Sequence, residues 1–167
     1  MENKKSVVLV VEDLKIAANL IRRHLEKANY SVVVVRNGRE AIKFLEKSDS
    51  RDLPCCITMA IMMPVMDGFD ACEYIKKDKR FKDIPIIMAS SLNQQVESIK
   101  HGADGFIGKP VEKIILLHEV GMSAKTTQLI KNNARLNNEL AVYKSVQHIV
   151  GSYGGKQIDL GVDDSEY

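Results

Sequence analysis

The chain has 167 residues, of which 45% are hydrophobic and 28% charged, and its formal net charge is +2. That is length and apolar content for one ordinary domain plus an appendage, and too little net charge to argue for nucleic acid or an anionic membrane surface as a partner. The apolar runs fall far short of a membrane span, and Met1-Glu2-Asn3-Lys4-Lys5 leads into a short strand instead of a signal-peptide core, so a cytoplasmic protein is expected.

Ser6 to Val11 is, after its serine, an unbroken apolar run of the kind that suits a parallel strand covered on both faces. It ends in Glu12-Asp13. Ile16, Ala17, Leu20, Ile21, His24 and Leu25 then recur at helical spacing until the Ala28-Asn29 break. The β-branched stretch Ser31 to Val35 predicts a second strand, and Asn37-Gly38 turns the chain into a helix marked by Ala41, Ile42 and Leu45. Pro54 opens the central strand, which runs to Ala60 and breaks at Met63-Pro64. A third helix restarts at about Asp67, with Phe69, Cys72 and Ile75 inward.

Ile84 to Ala89 predicts a fourth strand, ending in Ser90-Ser91, with Pro85 near its start where a missing N–H is tolerated. A short helix over about 93–101 stops at Gly102. Asp104 to Gly108 predicts a fifth strand, followed by Lys109-Pro110 and a helix from about Val111. Five successive β-then-α units imply a parallel sheet with helices on both faces, although the pattern alone does not choose among doubly wound strand orders.

The three cysteines Cys55, Cys56 and Cys72 contain no CxxC, and neighbours in a strand point to opposite faces, so small buried thiols in a reducing compartment are expected. His24, His101, His118 and His148 are isolated and lack zinc spacing; exposed helix positions are expected for them.

In open α/β sheets, sites gather at the carboxyl ends of the strands. There the sequence places Glu12 and Asp13, Ala60, Ser90 and Lys109. Taken singly each is ordinary: a solvated turn, a turn hydroxyl, a surface lysine. Together they give two acids able to hold a hard divalent cation, and a hydroxyl and an ammonium able to meet phosphoryl oxygens. Ala60 has no atom that can act as a nucleophile.

This set, with the loop Met63-Pro64-Val65-Met66-Asp67-Gly68, resembles the CheY-like receiver domain of two-component response regulators over about residues 6–120. In that family the central strand ends in an aspartate that accepts a phosphoryl group, and a loop reading M-P-x-M-D-G follows. The resemblance implies a flavodoxin-like (βα)5 fold, an α/β five-stranded parallel sheet in the order 2-1-3-4-5. It implies Mg²⁺ held by Asp13, by Glu12 (where the family usually has aspartate) and by the backbone of Met62. It implies that Ser90 senses the phosphoryl group, that Lys109 is the active-site lysine, preceding a cis Lys109-Pro110 bond, and that Phe106 is the aromatic switch. It also implies a sensor histidine kinase or phosphotransfer protein as partner, and a module that is not an enzyme acting on metabolites. A haloacid dehalogenase-type phosphatase would need a D-x-D after a strand, which is missing.

Ala60 falls at the phosphoacceptor position. Two explanations compete. An engineered aspartate-to-alanine change is favoured by the intact remainder of the site; the alternative is a natural pseudo-receiver acting as a phosphorylation-independent dimerisation scaffold. Without the carboxylate, weaker Mg²⁺ binding is expected, and Lys109 is expected to lean towards Asp13 or Glu12.

Beyond the receiver, expected over 1–120, the helical signal continues through 121–150, where Gly121 either interrupts the join or merely weakens it. Met122, Thr126, Leu129, Asn133, Leu136, Leu140, Tyr143, Gln147 and Val150 form a heptad seam about four repeats long, with Asn133 at an a position. A C-terminal coiled-coil extension pairing two chains into a homodimer is expected, against a solvated single helix. Residues 151–167 are expected to be a flexible tail. No output-domain motif is legible after the seam, so a truncated regulator and a self-pairing receiver both remain open.

Overall fold

The computed structural model describes residues 5–153, with side chains through Val146. Ten elements alternate along the chain: β1 Val7–Val11, α1 Lys15–Lys27, β2 Ser31–Val35, α2 Gly38–Lys47, β3 Cys56–Ala60, α3 Gly68–Lys77, β4 Ile86–Ser90, α4 Gln95–Lys100, β5 Gly105–Gly108 and α5 Lys113–Tyr153. All strand pairs are parallel and the sheet order is β2-β1-β3-β4-β5, the flavodoxin-like order implied by the resemblance.

The strands are unbroken apolar runs because the pleat sends alternate residues into two separate cores. Leu9, Val11, Ile57, Met59, Ile86 and Met88 pack with Ala41, Ile42 and Leu45 of α2 and Ala71, Cys72 and Ile75 of α3. Val8, Val10, Cys56, Ile87 and Ile107 face the other way, against Ile21 and Leu25 of α1 and Leu116 and Val120 of α5. The three cysteines are buried and none is in a disulfide among the described residues.

Local chemistry sets the helix ends. Asn29 takes a left-handed backbone (φ 68°) just after α1, which asparagine tolerates better than most residues. Asn37 caps α2: its side chain accepts from the Glu40 N–H at 2.9 Å, and Glu40 Oε2 reaches back to the Arg36 N–H at 2.8 Å. Asn37-Gly38 is therefore a helix start of the capping-box kind, where the sequence suggested a turn. Asp67 caps α3 by accepting from the Asp70 N–H at 2.9 Å. Gly102 (φ 90°) ends α4, and Lys109-Pro110 is cis.

Helix α5 runs through Gly121 without a break, and three residues of the expected tail, 151–153, belong to it. The first compact unit reaches Leu129. It extends past residue 120 because Ala124 packs on the α1-side core and the buried Thr127 hydroxyl donates to the Cys55 carbonyl at 2.7 Å. From Ile130 a second unit begins, in which every described side chain is exposed. The side chains of Gln147 and Val150, assigned to the seam, lie outside the described residues, as do residues 154–167.

Candidate functional site

Parallel strands bring their carboxyl ends to one side of the sheet. The register pairs Val11 with Met59, Ala60 with Ala89, and Ser90 with Gly108, so the residues closing β1, β3, β4 and β5 stand side by side. Glu12 and Asp13 follow β1, Ala60 ends β3, Ser90 ends β4 and Lys109 follows β5. Gly68 holds the loop after β3 close: its N–H donates to the Ile61 carbonyl at 2.8 Å, and a Cβ there would collide with the Ala60 carbonyl oxygen.

Lys109 turns to Glu12. Its Nζ donates to Glu12 Oε2 at 2.6 Å, and the Glu12 side chain is 1% exposed. The other Glu12 oxygen accepts from the Leu14 N–H at 3.3 Å. Asp13 instead borders a concavity of about 710 Å³, with Met62, Met63, Asp67, Phe69 and Gln94 on its walls. Met62 is 71% exposed, and Ala60 is buried. Ser90, buried, donates to Gln94 Oε1 at 2.8 Å and accepts from the Leu92 N–H at 3.1 Å. Phe106 is half-buried against the α2/α3-side core, in register with Met88.

Two neighbours of the site were not legible in the sequence. Gln94 carries no motif that marks it as the partner of Ser90. His101, expected on an exposed helix face, instead lies half-buried with its ring stacked on Phe69 at 4.4 Å. Its Nδ1 is 2.7 Å from Glu73 Oε1 and its Nε2 is 3.4 Å from Glu97 Oε1. The Lys77 ammonium, 2.8 Å away, and then His101 hold the exposed Glu73 carboxyl below its ordinary range. Phe69, directly after the M-P-x-M-D-G loop, packs against the α2/α3-side core as expected and also carries the His101 ring, which nothing in its spacing marks.

A divalent cation needs several oxygen donors. Here Glu12 is engaged by Lys109, Asp13 contributes one carboxylate, and Ala60 contributes no side-chain donor. Among the described residues no three His, Cys, Asp or Glu side chains are grouped so as to hold a metal ion. The donor set does not fit a tightly held Mg²⁺.

Residues 8–121 match the family model described as the response regulator receiver domain. A probable transcriptional regulator ycf27 of Porphyra purpurea is 31% identical over 113 residues, which is 66% of this chain and 44% of that protein. Histidine kinase P4 of Formosa agariphila is 31% identical over 154 residues, 90% of this chain and 10% of the kinase. The chain therefore spans less than half the length of either relative. Among solved structures, the signal receiver domain of a signal transduction histidine kinase from Syntrophus aciditrophicus superposes with a TM-score of 0.66 at 33% identity, covering 72% of this chain and 90% of that one. Among the described residues no helix is long and apolar enough to cross a membrane.

Proposed function

Because the chain belongs to the response regulator receiver family of two-component signalling, we propose that it is a receiver module whose phosphoacceptor position is filled by Ala60 and which therefore cannot take a phosphoryl group. The observation that carries this reading is Ala60 itself, buried at the end of β3 between Glu12 and Asp13 on one side and Ser90 on the other. We read it as a replaced aspartate, since Glu12, Asp13, Ser90, Lys109 and the whole Met63–Gly68 loop remain. With aspartate at 60 the module would receive a phosphoryl group from a sensor histidine kinase or phosphotransfer protein. It would pass the change through Ser90 and Phe106 to α5, and from there to an output domain or partner chain. The work is signalling in the cytoplasm, with no chemistry on metabolites.

The test is intact-mass analysis after incubation with acetyl phosphate and Mg²⁺. The chain should stay unlabelled and Ala60→Asp should gain one phosphate. Absence of label on Ala60→Asp would overturn the reading. A label on the alanine form would mean a different acceptor.

The second reading is a natural pseudo-receiver acting as a phosphorylation-independent scaffold, in which the Lys109–Glu12 pair closes the site. It predicts partner binding that is the same for the alanine and phosphorylated aspartate forms.

A further inference from the structure

One side of α1 is basic where it meets the end of β2. Lys15, Asn19 and Arg22 recur at steps of four and three, so they share a face of the helix. Arg36 directly follows β2. These four border a cavity of about 270 Å³ together with Glu12 and Asp13. Elsewhere in the receiver, cations that bridge or brace elements have carboxylate partners: Lys76 reaches Asp104 at 2.7 Å, Arg80 reaches Asp78 at 2.7 Å and Lys109 reaches Glu12 at 2.6 Å. Lys15, Arg22 and Arg36 have no such partner among the described residues.

Two details make this group more than a solvated face. Arg22 Nε is buried and has no hydrogen-bond partner among the described residues, a costly state for a charged donor. Arg36 cannot turn to Glu40, the acid closest to it in sequence. Both Glu40 oxygens are engaged, Oε2 by the Arg36 N–H at 2.8 Å and Oε1 by Asn37 Nδ2 at 3.2 Å. That cap fixes the Arg36 backbone and leaves its guanidinium unpaired. Of the two acids at the cavity, Glu12 is neutralised by Lys109. Asp13 borders this cavity and the concavity beside position 60 alike. Three cations against one carboxylate leave an excess of two positive charges, which a dianion balances.

We propose that the cavity between α1 and the end of β2 is a second anion site, which holds a phosphate group, inorganic or in a small monoester, between Arg22, Arg36 and Lys15. Guanidinium forks match the spacing of phosphate oxygens, and the lysine adds a point charge. Asn19 offers a side-chain amide to the same ligand. The cavity is a little smaller than the sites of about 300 Å³ and upward that take drug-sized ligands, so it admits a phosphate with a few carbon atoms. The inference does not depend on what stands at position 60: Ala60, Ser90 and Lys109 do not border this cavity.

The test titrates the full chain, free of divalent cations, with sodium phosphate and separately with glycerol 3-phosphate. Sodium chloride at matched ionic strength is the control for screening. Two-dimensional NMR of the labelled amides locates the anion and gives its affinity. Amides over residues 13–22 and 34–37 should move and saturate with phosphate, and should not with chloride. Arg22→Gln and Arg36→Gln should each weaken binding about 10-fold or more, as the loss of a charge-assisted hydrogen bond does. Arg23→Gln removes the same unit charge from an exposed position of α1 outside the cavity, and should leave the affinity unchanged. Tighter binding of the ester makes an ester the ligand, equal binding makes it phosphate itself, and either supports the site. An absence of saturable shifts overturns the proposal. Equal weakening in all three variants overturns it as well, as diffuse attraction to a basic helix. So do shifts centred on residues 60, 90 and 109, which place the anion at the other site. Arg22 is half-buried and Arg36 exposed; if Arg22→Gln lowers the unfolding temperature, Arg36→Gln against Arg23→Gln decides under the same criteria.

Discussion

Lys109 Nζ and Glu12 Oε2 are 2.6 Å apart, although the residues are 97 positions apart in sequence. The pair joins the end of β1 to the loop after β5, across the carboxyl ends of β3 and β4 that separate them in the sheet. Its carboxylate is almost wholly buried and its ammonium 22% exposed. Removing one member of such a pair leaves the other charge without compensation. Lys109→Met should therefore destabilise the fold by about 3 kcal/mol, at the lower end for buried pairs because the lysine keeps some solvent. Lys109→Met with Glu12→Gln should recover most of that loss, since neither site then holds a lone charge. Urea unfolding of the four members of this cycle measures the coupling, and additive losses would mean the pair contributes nothing.

A carboxylate at position 60 changes the demand on the same pair. Ala60→Asp would add a third acid beside Asp13 and Glu12 and give Lys109 a second anion. Isothermal titration should give tighter Mg²⁺ binding for Ala60→Asp than for the parent, by about 10-fold or more, as expected for adding one anionic oxygen ligand to a hard cation. Equal affinities would mean that the cation, if it binds, does not use position 60.

The two glycines Gly68 and Gly121 should respond in opposite directions to alanine. At Gly68 the new methyl meets backbone, the Ala60 carbonyl and Ile61 Cα, which cannot swing aside. The cost should be about 3 kcal/mol or more, at the upper end for overpacking. At Gly121 nothing lies within 4 Å of the added Cβ, and the residue is inside α5. Gly121→Ala should raise stability by about 0.5–1 kcal/mol, from helix propensity alone. Denaturant midpoints at constant slope separate the two.

The sheet was legible because two-sided burial leaves little choice of residues in the strands. Val7–Val11 and Ile86–Ala89 are nearly all apolar, and no amphipathic helix has that pattern. The strand order was not legible from periodicity and came from the resemblance. At the site, residues fixed by strand ends, such as Asp13, Ser90 and Lys109, could be placed by counting. Their partners could not. Which acid Lys109 meets, and that Gln94 meets Ser90, depend on side-chain rotamers and loop geometry, and neither the adjacency of Glu12 and Asp13 nor the four-residue step from Ser90 to Gln94 carries such information. His101 lies elsewhere than expected for a related reason: as the C-cap of α4 it reaches Phe69 and Glu73 of α3, and a six-residue helix is too short to display a period.

Burial pushes the Cys72 thiol up to about 11, with Asp104 and Glu73 adding to the shift and Lys76 opposing it. Burial likewise raises the Tyr30 hydroxyl, and the Cys56 thiol is raised by its hydrogen bond with the Cys55 thiol and by burial. A thiol whose folded value lies above its unfolded value near 9 gives stability that is fully present below pH 9. It is lost as the pH rises through about 11. The thermal midpoint should therefore fall between pH 9 and 11. Cys72→Ala should start lower, because a cavity is left, and should fall less steeply across that window. A slope unchanged by Cys72→Ala would place the alkaline loss at Tyr30 or Cys56.

The exposed face of α5 carries the last prediction. Leu129, Leu136, Leu140 and Tyr143 are each at least half exposed in the single chain, at 62%, 55%, 50% and 59%. Their spacing is the three-and-four alternation of a coiled-coil seam, and Asn133 occupies an a position, where a buried amide favours one register and often two strands. Leaving these side chains in water forgoes about 1.5–3 kcal/mol each, which a second copy paired in parallel would recover. The α5 stretch from Leu129 to Val146 is helical throughout, and at about 1.5 Å per residue it offers a free seam of about 26 Å. Thr127, bonded to the Cys55 carbonyl, fixes the helix against the receiver just before that seam becomes free. A pair joined beyond Thr127 would therefore bring two receivers to the N-terminal end of one coiled coil. Leu136→Asp with Leu140→Asp should place four carboxylates in the seam of such a pair, at a cost of several kcal/mol. Sedimentation should then give a monomer whose receiver unfolds at the parent temperature. A double variant that stays dimeric would move the interface onto the receiver itself, and a parent chain that is monomeric at every concentration would leave α5 a solvated helix.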